Sequence, residues 1–224
     1  MPSTIAICDD HALVRGGLRM MLEREPDLEV VGEAGDGAAA VELVLRLQPD
    51  VVLMDVELPR VDGIEAIRRL RVAGSRSQAL VVTTFDDDDY LVRALRAGAA
   101  GFVLKAIAPE RLAEAVRTVA RGDALLDPAV TRRLVERFLG HPALGDETRE
   151  RLAELTERER DVLRELARGG SNAAIGRALH LSEATVKAHV TQVLSKLGVG
   201  SRVQAVVFAY ESGFVRPGES APSA

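Results

Sequence analysis

Val51-Val52-Leu53-Met54-Asp55-Val56 is the stretch whose reading decides the fold. Four consecutive apolar residues end on a carboxylate, and an amphipathic helical pattern follows near residues 63 to 73. Such a run suits a strand buried on both faces of a sheet. The same unit recurs on either side. Short apolar runs lie at Ile5 to Cys8, Leu28 to Val31, Leu80 to Thr83 and Phe102 to Leu104, and helical patterns near 11 to 24, 37 to 48, 87 to 97 and 109 to 121. Five β/α units predict an α/β domain with a doubly wound, five-stranded parallel sheet, because parallel neighbours need crossover helices.

Beyond residue 122 the pattern changes. A helix is expected over 128 to 139, and His141-Pro142-Ala143-Leu144-Gly145-Asp146 has linker composition. From Arg151 to Val215 the strand signal disappears and four helical segments follow. Thr156 with Glu159 forms a capping box, and Ser182 is a second cap. The expected organisation is a domain over 1 to 122, a helix and linker over 123 to 150, an all-α four-helix domain over 151 to 216 and a disordered tail over 217 to 224.

The 224-residue chain has room for two cores, and 47% hydrophobic with 28% charged residues excludes a disordered or fibrous protein. Cys8 is the single cysteine, so no internal disulfide or thiolate metal cluster is possible. It reads as a small apolar strand residue. No basic-then-apolar leader opens the chain and no apolar run reaches membrane-spanning length, so a cytoplasmic protein without a membrane partner is expected. The net charge of -5 is unevenly divided: residues 1 to 128 hold 15 basic and 22 acidic residues, and residues 129 to 224 hold 14 and 12. Within 166 to 202, Arg168, Arg177, Lys187, Lys196 and Arg202 face only Glu183, a local basic patch.

Asp9 and Asp10 follow the first strand, Asp55 the third, and Thr83 and Lys105 end the fourth and fifth. In an open parallel sheet these ends share one edge, where ligands bind. Clustered carboxylates repel, and a hard divalent cation such as Mg2+ relieves that repulsion while favouring phosphate oxygens. One carboxylate can then attack phosphorus while Lys105 and the Thr83 hydroxyl hold equatorial oxygens. Asp55 stands alone and is the candidate nucleophile; the adjacent Asp9 and Asp10 suit metal. Taken singly, each aspartate reads as a turn or helix cap, Lys105 as a solvated lysine and Thr83 as an ordinary strand residue. Their convergence is what speaks for a site.

At Ile7-Cys8-Asp9-Asp10-His11, Val51 to Val56, Leu58-Pro59-Arg60-Val61-Asp62-Gly63, Val82-Thr83-Thr84-Phe85 and Ala97 to Lys105, the chain resembles the receiver domain of two-component response regulators, over essentially all of residues 4 to 121. The resemblance implies a flavodoxin-like fold and phosphorylation of Asp55 by a sensor histidine kinase. It also implies Mg2+ held by Asp10, Asp55 and the backbone carbonyl of Glu57, with Asp9 acting mainly through water. By the same resemblance Thr83 reorients toward the phosphoryl group and Phe102 shifts with it; the plain alternative for Phe102 is core. Ala106 departs from the Asp or Pro usual after this lysine, which bears on the loop and not on Lys105. The run Asp86-Asp87-Asp88-Asp89 reads as acidic residues complementing a helix dipole rather than as a second metal site.

Over residues 183 to 197, Val186, Val190, Val193 and Leu197 form one helical stripe. The opposite face carries Ala184, Ala188, Thr191 and Ser195, flanked by Lys187 and Gln192. Small residues allow close approach, Lys187 and Gln192 reach base edges in a major groove, and Lys196, Thr185 and Asn172 suit phosphate contacts. Such a face alone is also what solvent exposure produces. Leu155-Thr156-Glu157-Arg158-Glu159-Arg160-Asp161-Val162-Leu163, Ser171-Asn172, Leu181 to Val190 and Lys196-Leu197-Gly198-Val199 resemble the LuxR-type helix-turn-helix signature, over about 151 to 215. That resemblance makes 183 to 197 the recognition helix. Ala174 and Gly176 depart from the usual Glu and Ala, and an exposed Gly176 would weaken its helix by roughly 1 kcal/mol. His189 is assigned no metal. The segment 201 to 212, with Val203, Val206, Val207 and Tyr210, is by resemblance a dimer contact and equally well intramolecular core. A dimer would match a pseudo-palindromic double-stranded operator.

Together these features predict a transcriptional response regulator of the LuxR, NarL and FixJ type. Phosphorylation of Asp55 is expected to shift the receiver and promote a homodimer that controls operator binding, with no enzymatic activity beyond slow self-dephosphorylation. Two other classes compete. An aspartate-nucleophile phosphatase of the haloacid dehalogenase type needs a second Asp where Glu57 stands, and a LuxR-type regulator controlled by a small ligand needs an apolar cavity where the acidic pocket lies.

Overall fold

The computed structural model describes residues 1–84, 88–122 and 146–215. The chain divides into two compact units, Met1–Leu125 and Leu126–Ala224. The expected helix over 128 to 139, the linker around His141, the tail from 217 and the residues Asp86 and Asp87 lie outside the described residues, as do the side chains of Asp88 and Asp89.

The first unit runs β1 (Ser3–Cys8), α1 (Ala12–Leu22), β2 (Leu28–Ala34), α2 (Gly37–Leu47), β3 (Val51–Met54), α3 (Gly63–Val72), β4 (Gln78–Thr83), α4 (Asp88–Ala97), β5 (Gly101–Leu104) and α5 (Pro109–Ala120). The sheet order is β2-β1-β3-β4-β5, every pair parallel. This is the doubly wound order whose strand sequence reverses beside β1 and β3, opening a crevice at their carboxyl ends. All four β3 residues are buried, which explains a run without polar alternation. Ile5, Ile7, Val51, Leu53, Leu80 and Val82 pack with Leu112, Val116 and Val119 of α5 and Leu18 and Leu22 of α1. α1 touches α5, while α2, α3 and α4 form a run of neighbours.

The strand β2 extends three residues past the apolar run, through Gly32, Glu33 and Ala34. Glu33 is held there by Arg15 and Arg19 of α1, a pairing that hydrophobicity cannot announce. The turn from β3 into α3 is set by close approach. The Gly63 N–H donates to the Val56 carbonyl at 2.9 Å, and Asp62 caps α3 by accepting from Glu65 N at 2.8 Å. A Cβ at residue 63 would lie 1.8 Å from the Asp55 carbonyl oxygen, so only glycine lets α3 start against the end of β3.

The second unit contains α6 (Asp146–Ala153), α7 (Glu157–Ala167), α8 (Asn172–Leu179), α9 (Glu183–Leu197) and α10 (Arg202–Glu211). Among the described residues from 146 onward five helices are present where four were expected, because α6 begins inside the expected linker. Its Arg151 guanidinium donates to the Leu197 carbonyl at 3.1 Å, tying α6 to the end of α9. Leu155, Val162, Leu163, Leu166, Ile175, Val186, Val190, Val193, Leu197 and Val206 form the core. The stripe predicted along residues 183 to 197 is therefore buried as a unit.

Gly176 is buried, so the cost tied to an exposed glycine does not arise, and the residue has a packing role. A Cβ there would sit 2.7 Å from the Leu181 carbonyl oxygen in the turn between α8 and α9, where His180 adopts a left-handed conformation at φ 54°. Val203, Val206 and Val207 of α10 are buried, and the Tyr210 hydroxyl donates to the Ala167 carbonyl at 2.9 Å, so the intramolecular alternative describes this face. No helix among the described residues is long and apolar enough to cross a membrane.

Gly63→Ala should destabilise the first unit by about 3 kcal/mol, since backbone must move to admit the methyl group. Denaturant unfolding followed by circular dichroism checks this; an unchanged midpoint would contradict the close-approach argument.

Candidate functional site

Three strand ends supply the first site. Parallel register places Cys8 beside Met54 and Met54 beside Val81, so Asp9, Asp55 and Thr83 emerge on one edge of the sheet. Thr83 pairs with Leu104, and the Lys105 N–H donates to the Thr83 carbonyl at 2.8 Å, which adds β5 to that edge. The Asp55 N–H donates to the Cys8 carbonyl at 2.8 Å, fixing its distance from Asp9.

Lys105 joins the group electrostatically. Its Nζ lies 2.5 Å from Asp9 Oδ2 and 2.8 Å from Asp55 Oδ2, with both carboxylates nearly fully buried. Burial pushes the Asp55 carboxyl above its ordinary value; the Lys105 bond opposes that shift, Asp9 adds to it, and the Glu57 N–H bond also opposes it. Burial disfavours the Lys105 ammonium, and the bonds to Asp55 and Asp9 outweigh that effect, raising its pKa. The result is a carboxylate stripped of most solvent and partnered by one ammonium. It has the character of a nucleophile held ready for a charged electrophile.

Asp10 lies at the rim, where His11 Nδ1 approaches its Oδ1 at 2.6 Å. Ligand atoms of Asp9, Asp10 and His11 fall within 4.8 Å of one another. Two carboxylates beside a third on Asp55 offer hard oxygen donors, a set that fits Mg2+ chemically. Thr83 is fully buried, and Phe102 is 6% exposed within β5, consistent with its reading as core.

Sequence reading missed the residues that hold this loop. Arg15 donates to the Asp9 carbonyl at 2.7 Å and the Asp10 carbonyl at 3.3 Å while pairing with Glu33. It lies six residues from Asp9, and nothing in local periodicity marks the contact. Arg60 pairs with Asp36, which also caps α2 by accepting from Ala39 N at 2.9 Å. The Cys8 thiol is pushed up to about 12 by burial, Arg15 opposing and Asp9 reinforcing the shift, in keeping with an inert strand residue.

The second site is α9. Ser182 caps it, accepting from Thr185 N at 3.1 Å, and its hydroxyl lies 2.7 Å from Thr185 Oγ1. Opposite the buried stripe, Ala184, Thr185, Lys187, Ala188, Thr191, Gln192 and Ser195 are all exposed. Two of the expected phosphate contacts are engaged elsewhere. Asn172 is 6% exposed, and its Oδ1 accepts from Arg202 at 2.7 Å. Lys196 donates to Glu159 Oε2 at 2.7 Å.

Glu159 completes the capping box of α7, its carboxylate accepting from Thr156 N at 2.8 Å and its N–H donating to Thr156 Oγ1 at 3.3 Å. Of the five cations in the sequence patch, Lys196 is committed to Glu159 and Arg202 to Asn172 and the Gly170 carbonyl, while the exposed Arg168 pairs with Glu165 at the surface. Arg177 and Lys187 are exposed.

A doubly wound domain with an acidic pocket at its strand ends, followed by a helical unit with an exposed helix after a tight turn, defines a receiver joined to a helix-turn-helix domain. The sequence matches the response regulator receiver domain over residues 5–117 and the luxR family of bacterial regulatory proteins over residues 153–209. Transcriptional regulatory protein DegU of Brevibacillus brevis is 40% identical over 95% of this chain and 94% of its own length. Nitrate/nitrite response regulator protein NarP of Escherichia coli (strain K12) is 42% identical over 92% and 94%. Among solved structures, the response regulator ChrA of a heme-sensing two-component system superposes with TM-score 0.52 at 34% identity, covering 96% of this chain and 99% of that one. RcsB, in a structure of two dimers bound to two parallel DNAs, superposes with TM-score 0.56 at 26% identity over 94% and 99%. The chain belongs to the two-component response regulators with a LuxR-type DNA-binding domain, the NarL and DegU type, and its relatives are transcription regulators.

Burial works against the Glu159 carboxylate, and the Lys196 and Thr156 bonds overcome it, holding the carboxyl below its ordinary value. Its stabilising contribution is therefore present above the unfolded pKa of about 4.3 and is lost as pH falls through the lower folded value. Glu159→Ala should cost about 2 kcal/mol at neutral pH, from the lost cap and the stranded lysine. Glu159→Gln should flatten the fall in stability below about pH 4.3. Urea unfolding across pH measures both. At the first site, Lys105→Met should raise the Asp55 pKa further; a carboxyl-carbon NMR titration that moved it downward would contradict the electrostatic account.

Proposed function

We propose that Asp55 accepts a phosphoryl group from a sensor histidine kinase and that this event controls operator binding by α9. The carrying observation is the Lys105 ammonium between two buried carboxylates, 2.5 Å from Asp9 and 2.8 Å from Asp55. A carboxylate oxygen of Asp55 attacks phosphorus, the P–N bond of phosphohistidine breaks, and an acyl phosphate forms. Lys105 then exchanges part of its carboxylate contact for a phosphoryl oxygen, and the Thr83 hydroxyl takes another. Asp9, Asp10, Asp55 and the Glu57 carbonyl would hold Mg2+, which supplies charge neutralisation between carboxylates and phosphate.

The switch surface is the β4 and β5 end around Thr83 and Phe102, and its change favours a homodimer on a paired operator. In the DNA-binding unit, Lys187, Ala188, Thr191, Gln192 and Ser195 form the groove face, with Thr185 at the backbone. Lys196 ties α9 to Glu159, and Asn172 ties the start of α8 to Arg202. The cytoplasm, where kinase domain and DNA are both accessible, is the setting for this role. Slow self-dephosphorylation is the extent of any enzymatic activity.

Treatment with acetyl phosphate and Mg2+ should add one phosphoryl group to the wild type, increase its dimer fraction and tighten its binding to promoter DNA. Asp55→Ala should show none of the three changes. Equal phosphoryl incorporation in the variant, measured by intact mass, would overturn the assignment.

A further inference from the structure

The exposed face of α9 sets polar side chains, Lys187, Gln192 and Ser195 among them, beside a strip of small residues. Lys187 supplies its cation, because Lys196 is spent on Glu159 at 2.7 Å. Thr191 stands one turn beyond Lys187, and its hydroxyl folds back to donate to the Lys187 carbonyl at 3.0 Å. A threonine whose hydroxyl hydrogen is held by its own helix presents a methyl group as its distinctive outward chemistry. Ala188, three residues earlier and also exposed, adds a second methyl to the same strip. In the major groove the feature complementary to a methyl strip is the 5-methyl group of thymine, while a lysine pairs with O6 and N7 of guanine.

We propose that α9 selects thymine through apolar contact of Thr191 and Ala188 with its 5-methyl group, beside a guanine read by Lys187. The inference rests on α9 being the recognition helix. Of the two contacts a threonine can make at a base edge, it gives Thr191 the apolar one: the methyl discriminates and the hydroxyl does not. The two threonine atoms can be separated chemically. Thr191→Val keeps a methyl group and removes the hydroxyl, whereas Thr191→Ser keeps the hydroxyl and removes the methyl. Thr191 lies on an exposed helical face, so the fold should survive either change.

The test starts from selection of a random duplex library by the full-length chain treated with acetyl phosphate and Mg2+. Each thymine of the selected half-site is then replaced by deoxyuridine, which removes the 5-methyl group without altering base pairing. At one thymine adjoining a guanine, the wild type should lose about fourfold in affinity per half-site, the value of one buried methyl group. Thr191→Val should retain that loss, and Thr191→Ser should reduce it to less than twofold. Indifference of the wild type to uracil at every position, with a half-site still selected, would overturn the thymine reading while leaving α9 as the recognition helix. A uracil response abolished by Thr191→Val would assign discrimination to the hydroxyl and also overturn it. Failure to select any sequence would overturn both this inference and the DNA-binding reading.

Discussion

Two carboxylates from different strands are buried side by side in the receiver, and a single ammonium makes that arrangement tolerable. Without Lys105, Asp9 and Asp55 would face each other with little solvent to separate them, and one would be driven to protonate. The lysine reaches them only because β5 follows β4 in the sheet and its backbone N–H is held by Thr83. The sheet order, the register and the crossover helices that impose parallel strands all converge on that one nitrogen. The chemistry is accordingly a property of the whole domain.

The DNA-binding unit is organised around a second ion pair of a different kind. Glu159 closes the first turn of α7 and simultaneously holds Lys196 near the end of α9. One carboxylate thus satisfies a helix terminus, neutralises a partly buried ammonium and sets the orientation of the exposed helix. Arg202 performs a related service for the start of α8 through Asn172 and the Gly170 carbonyl. Two charges that the sequence suggested for a surface patch, Lys196 and Arg202, act as internal fasteners, and Lys187 is left as the cation on the exposed face of α9.

The strands and helices of the first unit were legible because burial on both faces produces uninterrupted apolar runs such as Val51 to Met54, and amphipathic crossovers repeat between them. Thr156, Glu159 and Ser182 were equally readable, since caps act over three residues. Contacts across long separations were not. Arg15 on the Asp9 carbonyl and Lys196 on Glu159 depend on packing that places distant residues together, and a cation has the same appearance in sequence whether it faces solvent or a buried carboxylate. The packing role of Gly176 was hidden for a related reason: helix propensity is local, whereas the Leu181 carbonyl that excludes a side chain arrives with the following turn. Helix α6 was hidden by its polar composition, which resembles a linker until Arg151 finds the end of α9.

The inward commitment of Lys196 and Arg202 has a consequence for how tenure on a promoter is achieved. A helix exposing one ammonium displaces few condensed counterions when it enters the groove, so α9 by itself gains little of the entropy that usually fastens proteins to duplex DNA. Linking two such subunits turns the second encounter into an intramolecular one at high effective concentration. In the proposed dimer, weak single grips joined in pairs would give an occupancy that rises steeply with the paired fraction, and release would remain fast once the pair separates.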